Sequence, residues 1–285
     1  MSQKYFSKAE VFRRTYNRIH HHKSLKIGLI LSILVLSITI TSLFFTPFDP
    51  YKMSLRDRFS SPTITHIFGT DEYGRDLFSR CMIGTRIALT VGTISTSIAL
   101  TFGLIIGILA GTGVNIVDEI LMRIMDGLFA FPALIFAIAI VSVFGTNIYN
   151  AMIAIGIVRI PVFARMVRNQ VKTINNREFI TAANSMGISY FRKIFQYYLP
   201  NIWAPISVLV SSNYAFAILS EAGLSYIGLG TQPPDPSLGR LLMESQKYME
   251  KAPWLSIFPG LIIAVIVLGF SLLSDGLNDI SNPRY

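Results

Sequence analysis

Long apolar runs alternate with shorter polar segments along most of this chain. Each of six runs is long enough, or nearly so, to cross a bilayer as a helix, which takes about 20 residues. The runs cover residues 25–45, 87–111, 127–144, 148–166, 202–224 and 254–273. Only residues 145–147 separate the third run from the fourth, which predicts a tight turn between antiparallel helices. The pattern therefore predicts an all-α, polytopic membrane protein with about six transmembrane helices.

The composition supports a membrane location. Of the 285 residues, 52% are hydrophobic and only 14% are charged, and the mean hydropathy is +0.51. Soluble domains carry about 25% charged residues. The first run follows a charged leader and precedes no small-residue cleavage pattern, so we interpret it as an anchor helix rather than a cleaved signal peptide.

The distribution of Lys and Arg indicates the orientation. With both termini in the cytoplasm, the inner segments hold more of these residues than the outer segments, as is usual for cytoplasmic loops. The net charge of +9 reflects this topology and favours contact with anionic membrane lipid; it gives no indication of nucleic acid. We expect a cell-membrane protein with this layout: cytoplasmic tail 1–24, anchor helix 25–45, outer loop 46–85, membrane core 86–275 containing an inner loop 168–200, and cytoplasmic tail 276–285.

The outer loop contains GTDEYGRD, residues 69–76, whose glycine spacing matches a phosphate-binding loop. Arg75 stands where such a loop has Lys, and Asp76 stands where it has the hydroxyl that holds Mg²⁺. Asp71 and Glu72 would repel a polyphosphate, and cytoplasmic ATP does not reach an outer loop. We therefore expect no nucleotide site here. Cys81 is the only cysteine, which excludes a disulfide within the chain.

Ionisable residues within the apolar runs are few. Arg159 and Glu221 either belong to a transport pathway or lie near an interface, and their scarcity argues against a proton relay. The fifth run also carries polar groups near its middle, which at that depth need protein partners or a wet cavity. These groups either line a translocation pathway or hydrogen bond to a neighbouring helix; the candidates are Ser211, Ser212, Asn213 and Glu221.

Two other patterns have simpler interpretations. The second run carries small-xxx-small steps, which indicate close helix packing; they are formed by Gly103, Gly107 and Gly111. Three adjacent histidines precede the anchor helix and are typical of a polar interface, because adjacent side chains on a helix point in different directions; they are His20, His21 and His22. We expect no catalytic residue and no metal site.

The inner loop predicts two short helices outside the membrane. Asn175 and Glu178 match a capping box, and Gly187 supplies the left-handed conformation that ends a helix. The first helix has Phe179, Ala183 and Met186 on one face. Ser189 caps the second helix, which Pro200 closes and whose apolar face comprises Phe191, Ile194, Phe195 and Tyr198. Such faces need a docking partner, since sticky surfaces are rarely left open.

This loop resembles the shared loop of the inner-membrane permeases of binding-protein-dependent ABC importers. The pattern is E-A-A, three residues, G, nine residues, I-x-L-P. Thr181 stands at the usual Glu and Tyr197 at the usual Ile, and the matching residues are Ala182, Ala183, Gly187, Leu199 and Pro200. Further stretches resemble the second permease subunit of dipeptide, oligopeptide and nickel systems: residues 69–80, 221–242 and 258–284. In the last stretch Ser271, Ser274 and Asn278 depart from the usual Asn, Gly and Arg.

The resemblance implies a type I ABC importer permease fold with no nucleotide site or cofactor of its own. The implied partners are a homologous permease subunit in a heterodimer, two cytoplasmic ATPase subunits that bind ATP and Mg²⁺, and an extracellular substrate-binding protein. The implied cargo is a dipeptide, an oligopeptide, or nickel or another metal chelate. The implied coupling helix, which seats in the ATPase, contains Glu178, Phe179, Ala182, Ala183, Met186 and Gly187.

Two alternatives belong to other functional classes. The shortage of intramembrane acids argues against an ion-driven secondary transporter, and the lack of an H-E-x-x-H or comparable motif argues against a membrane-embedded enzyme. Co-purification with an ATPase that substrate and binding protein stimulate would separate all three.

Overall fold

The computed structural model describes residues 23–281, and within this range the protein is built from helices. The histidines at 20–22 and most of the predicted N-terminal tail lie outside the described residues. Between residues 23 and 281 no strand forms, and the one β-type pairing is an isolated bridge between Thr70 and Asp76. The helices are α1 (Lys23–Phe44), α2 (Leu77–Thr112), α3 (Asn115–Phe129), α4 (Ala133–Phe144), α5 (Ile148–Asn175), α6 (Glu178–Ser185), α7 (Tyr190–Lys193), α8 (Leu199–Tyr226), α9 (Leu238–Ser245) and α10 (Trp254–Ser281).

Five helical segments are long and apolar enough to cross a membrane: α1, α2, α5, the continuous stretch from α7 through α8, and α10. The third predicted run is not one straight helix. It belongs to α3 and α4, which meet at a bend of 86°. Pro132 lies at this break, with an extended ψ of 128°. Proline favours a break in a helix because it lacks an N–H and disfavours helical geometry in the residue before it. The bent pair can supply a sixth crossing.

The glycines of the second run let α2 and α5 pack closely. A Cβ atom added to Gly107 would lie 2.6 Å from Val167 Cβ, and one added to Gly111 would lie 2.7 Å from Val171 Cβ. These contacts confirm the packing interpretation and show that α2 and α5 run parallel. Since α2 ends and α5 begins at opposite ends of this pair, the intervening α3 and α4 must return the chain across the membrane. The fold therefore has six crossings.

Helix α10 packs between α8 and the anchor helix α1. Ser274, one of the departures from the family pattern, donates from Oγ to the Val208 carbonyl at 3.0 Å, and the rings of Tyr214 and Phe270 stack at 4.9 Å. On its other side α10 contacts α1 at Gly28 and Gly276, where added Cβ atoms would lie 2.6 Å from the facing helix. The chain thus forms a layered helical bundle in which α8 and α10 are antiparallel.

One helix extends beyond its predicted apolar run, and one predicted helix boundary is wrong. Helix α2 begins at Leu77, inside the predicted outer loop 46–85, because Asp76 accepts a hydrogen bond from the Ser79 N–H at 2.8 Å and caps the helix. Pro200 does not close the second loop helix. The preceding residues Ile194–Tyr198 form a π-turn that leads directly into α8, and the wider turn lets the helix continue past a residue that has no N–H to donate.

Candidate functional site

The loop between α5 and α8 is attached to the bundle by one side of α6. Ile180 and Ala183 are buried, and Ala183 has no exposed surface. Ile180 packs into an apolar cluster with residues from the ends of α5 and α8, among them Val171, Ile174 and Ile202. Ala183, predicted on one apolar face with Phe179 and Met186, is thus buried against the bundle, whereas Phe179 and Met186 are exposed.

The opposite side of α6 is open. Glu178, Phe179, Ala182, Met186 and Gly187 are all exposed, and Met186 exposes 71% of its surface. The predicted apolar face of the second loop helix is divided in the same way. Tyr198 is buried and Ile194 partly buried, whereas the exposed aromatic side chains are Phe191 and Phe195, at 72% and 66%. We call the exposed set the docking face: Glu178, Phe179, Ala182, Met186, Gly187, Phe191 and Phe195.

Gly187 ends α6 as predicted. Its φ is +68°, a left-handed conformation that glycine adopts far more readily than other residues. The Gly187 N–H donates to the Asn184 carbonyl at 3.0 Å, and the Ile188 N–H donates to the Ala183 carbonyl at 3.1 Å, which is the Schellman arrangement. A Cβ atom at Gly187 would meet nothing within 4 Å, so conformation and not space requires the glycine.

The predicted capping box does not form. Asn175 is the last residue of α5, and the N-cap of α6 is Arg177, which makes no side-chain capping bond. Asn175 instead donates from Nδ2 to the Gly111 carbonyl at 3.1 Å and accepts from the Tyr198 hydroxyl at 2.5 Å. Ser189 also lacks a side-chain capping bond. Asn175 thus links the end of α2, the end of α5 and the π-turn. We call this linked region the base of the docking face, because these hydrogen bonds hold it in place.

An ion-pair cluster beside this base was not predicted. Asp118, in the first turn of α3, is buried and accepts from Arg168 on α5, with Nη2 to Oδ2 at 2.6 Å, and from Lys172 Nζ at 2.5 Å. Arg168 and Lys172 are one helical turn apart and therefore neighbours on α5, and this spacing was the one feature of the sequence that indicated a shared site for an acid. The acid that they share lies 50 residues away from Arg168 and could not be paired with it from the sequence.

The polar residues of α8 lie mostly inside the chain. Ser211, Asn213 and Glu221 are buried, and Glu221 accepts from Ser225 Oγ at 2.5 Å and from Thr231 Oγ1 at 3.3 Å. These contacts favour hydrogen bonding within the bundle over lining a pathway. Ser212 is partly exposed, and its place on a pathway stays a prediction.

The segment GTDEYGRD uses its charges internally. Asp71 binds Arg75, Nε to Oδ2 at 2.6 Å, and faces Arg80 Nε at 3.6 Å, while Arg80 Nη2 contacts Glu244 at 3.3 Å. Burial raises the pKa of the neighbouring Glu72 carboxyl above its usual range. Arg80 and Glu244 were not predicted as partners from the sequence, and the fold brings them together from 164 residues apart.

Comparison with known proteins agrees with this architecture. Residues 103–285 match the family model of the binding-protein-dependent transport system inner membrane component. The chain belongs to this family. It is 38% identical to the dipeptide transport system permease protein DppC of Alkalihalophilus pseudofirmus, over 96% of this chain and 90% of the relative. It is also 38% identical to the glutathione transport system permease protein GsiD of Pectobacterium atrosepticum, over 93% and 88% of the two chains.

Two further comparisons extend the match. The di/tripeptide transport system permease protein DppC of Pseudomonas aeruginosa is 37% identical over 93% of this chain and 89% of its own length. A chain of the MetNI methionine ABC transporter, solved in inward-facing conformations, superposes with a TM-score of 0.58 at 14% identity, covering 71% of this chain and 97% of that chain. At this identity the likeness shows the fold, which is that of a type I importer permease. The chain is thus a multi-pass permease subunit of a transport system.

Proposed function

We propose that this chain forms half of the translocation pore of an ATP-driven peptide importer. Its relatives are named for dipeptides, di/tripeptides and glutathione, so the cargo we propose is a short peptide or a peptide-like compound. The proposed partners are a second, homologous permease, two cytoplasmic ATPase subunits that bind ATP and Mg²⁺, and an extracellular protein that delivers the cargo. This chain itself performs no catalysis and binds no cofactor.

The observation that carries this proposal is the docking face. It is mostly apolar and exposed, its base is held by the hydrogen bonds of Asn175, and nothing in residues 23–281 covers Met186, Phe191 or Phe195. An exposed apolar set on a rigid element is typical of a protein-binding surface. In this mechanism the ATPases bind the docking face, draw together when they bind ATP and move α6 with the ends of α5 and α8. Shifting the pore from a 1:99 to a 99:1 ratio of its two states needs about 5.5 kcal/mol of differential binding free energy. A rigid connection between the docking face and the pore helices is required to transmit it.

Substitution of Ala182 tests the docking face directly. Ala182 is exposed on it, so Ala182→Arg should leave folding intact while separating the two docking surfaces. We expect permease abundance and heterodimer formation to be unchanged, and substrate-stimulated ATPase activity and uptake to fall about tenfold or more, the effect of losing about 1.4 kcal/mol of contact. The matched control is Asn169→Arg, at an exposed position on α5 outside the docking face. Full stimulation and uptake in the Ala182 variant would contradict the coupling role.

The orientation is part of the proposal. We place both termini and residues 168–200 in the cytoplasm on the basis of the Lys and Arg distribution. A cysteine at Asn176, which is exposed, should react with a membrane-impermeant reagent only from the inner side, in a background where Cys81 is replaced. Labelling from the outer side of intact cells would contradict this topology.

A further inference from the structure

Arg159 lies deep within a transmembrane helix and has no acidic partner among residues 23–281. Arg159 is 11 residues beyond Ile148, the first residue of α5, which corresponds to about 16 Å along the helix axis. The hydrocarbon core of a bilayer is about 30 Å thick, so the arginine lies near its middle. Charged residues at this depth are costly and mark functional sites.

Three helices hold the Arg159 side chain in place. Its Nε donates to Asn213 Oδ1 on α8 at 2.7 Å, and the guanidinium carbon lies 4.3 Å from the centre of the Phe216 ring. Asn213 is fully buried and donates from Nδ2 to Thr96 Oγ1 on α2 at 3.0 Å. The guanidinium is therefore fixed against α8, and these contacts favour a role inside the bundle over a position at the membrane interface.

The two terminal nitrogens of Arg159 remain available. Between residues 23 and 281, Arg159 forms no ion pair, and its hydrogen bond and ring contact use Nε and the guanidinium face. Arg165 on the same helix differs, because it pairs with Asp126 at 2.7 Å. The Arg159 side chain is partly exposed. Since a cation facing lipid at this depth is unfavourable, its open side faces protein or water.

The surface beside Arg159 carries hydroxyl groups. Ser212, Phe216 and Ser220 are partly exposed and follow each other at four-residue spacing along α8, so they form one strip. The hydroxyls of Ser212 and Ser220 lie one helical turn before and one turn after Phe216, whose ring contacts the Arg159 guanidinium. Polar groups at this depth need protein partners or a wet cavity, and beside a cation that is unfavourable in lipid this strip fits a wetted path.

We propose that Arg159 binds the C-terminal carboxylate of the peptide as it passes through the pore. The inference rests on the proposed function, under which the cargo is a peptide. The two free guanidinium nitrogens match the geometry of a carboxylate, which accepts two parallel N–H bonds. Asn213 and Phe216 hold the guanidinium through Nε and one ring face, and they leave its two terminal nitrogens open. The same contact to a carboxylate of the partner permease is the competing possibility.

The test uses the complete transporter, with both permeases, the ATPases and the binding protein, reconstituted in liposomes. ATP-dependent uptake is measured for a peptide and its C-terminal amide, chosen so that the binding protein holds both with similar affinity. Arg159→Gln retains a donor but removes the cation. We expect kcat/KM for the acid to fall about tenfold or more, as for loss of a charge-assisted pair, with little change for the amide. Arg159→Lys should recover part of the loss, and Arg165→Gln should not change the acid-to-amide ratio.

The other outcomes overturn the assignment. An unchanged acid-to-amide ratio in Arg159→Gln would exclude recognition of the carboxylate. Equal loss for both peptides, together with weaker co-purification of the two permeases, would assign the arginine to the subunit contact. Absence of ATP-dependent peptide uptake by the unaltered transporter would overturn the proposed function as well, which distinguishes that failure from the other two.

Discussion

The outer segment GTDEYGRD resembles a binding motif in sequence but is largely buried in the structure, whereas the inner docking face has no such motif but is exposed. The outer segment has the spacing of a phosphate loop, yet Asp71, Arg75 and Arg80 are buried and directed toward one another and toward Glu244. The inner loop has no charged motif, yet it exposes an apolar set that includes Met186 and Phe191. The charged region is structural, and the apolar region is the better candidate for a functional surface.

This difference shows how to weigh a motif in a membrane protein. A buried group whose charge is paired within the chain contributes to the fold and is not free to bind a partner. A group that the fold leaves open, and that is costly to leave open, indicates a partner. Substitutions in the outer segment should therefore change stability, and those on the docking face should change transport.

The largest effect is expected for Arg80→Leu. Arg80 is 1% exposed and contacts Asp71, Glu244 and the Pro50 carbonyl. Removing it leaves the buried Asp71 and the partly buried Glu244 with less compensation, and breaking a buried ion pair costs about 3 to 5 kcal/mol. We expect a large fall in the thermal unfolding temperature of the purified permease. Arg123→Leu is the control, because Arg123 forms an exposed i,i+4 pair with Glu119 that contributes about 0.3 to 0.5 kcal/mol. Similar unfolding temperatures for both variants would contradict the structural role of the outer segment.

Ala183→Arg should be nearly as destabilising. Ala183 is fully buried against the bundle, so the larger, charged side chain must displace α6 or remain buried, at a cost of several kcal/mol. Ala182→Arg, one residue earlier and exposed, should change stability by about 0.5 kcal/mol or less. Abundance and unfolding temperature of the two variants provide the measurement. A normally stable Ala183→Arg protein would show that α6 does not lie on the bundle as described.

Part of this arrangement was predictable from the sequence because it depends on local chemistry. The apolar runs predicted six crossings, and Gly187 predicted the end of α6 because a left-handed residue follows from neighbouring positions. The break at Pro132 was missed because the apolar composition continues across it. The capping box failed because Asn175 is used in tertiary contacts with Gly111 and Tyr198. The pairing of Arg80 with Glu244 depends on how the fold brings distant segments together, which one sequence does not contain.

A smaller effect is expected for Asp118→Asn. Asp118 joins α3 to Arg168 and Lys172 on α5, and hydrogen bonds to charged groups contribute about 1.5 to 3 kcal/mol. Partial exposure of both cations reduces this figure, so we expect a loss of about 1 to 2 kcal/mol in the free energy of unfolding. This pair lies beside the docking face without belonging to it, so the variant should retain the ATPase subunits. Loss of ATPase binding with unchanged stability would extend the functional surface to α3.

An effect on stability comparable to that of Asp118→Asn is expected for Gly187→Leu. A left-handed conformation costs an ordinary residue about 1 to 2 kcal/mol. Steric conflict adds nothing at this position, since an added Cβ meets no atom within 4 Å. The free energy of unfolding should fall by that amount while the permease still folds and pairs.

Gly187→Asn separates the conformational requirement from the docking requirement. Asparagine tolerates the left-handed region better than leucine, so Asn should recover most of the stability. Both side chains project from the docking face, however, so both variants should lower substrate-stimulated ATPase activity if the partner approaches Gly187 closely. If Asn restores stability and activity together, Gly187 serves only to end α6, and the docking face is smaller than we describe. If Asn restores stability alone, the open space above Gly187 is the place that the ATPase occupies.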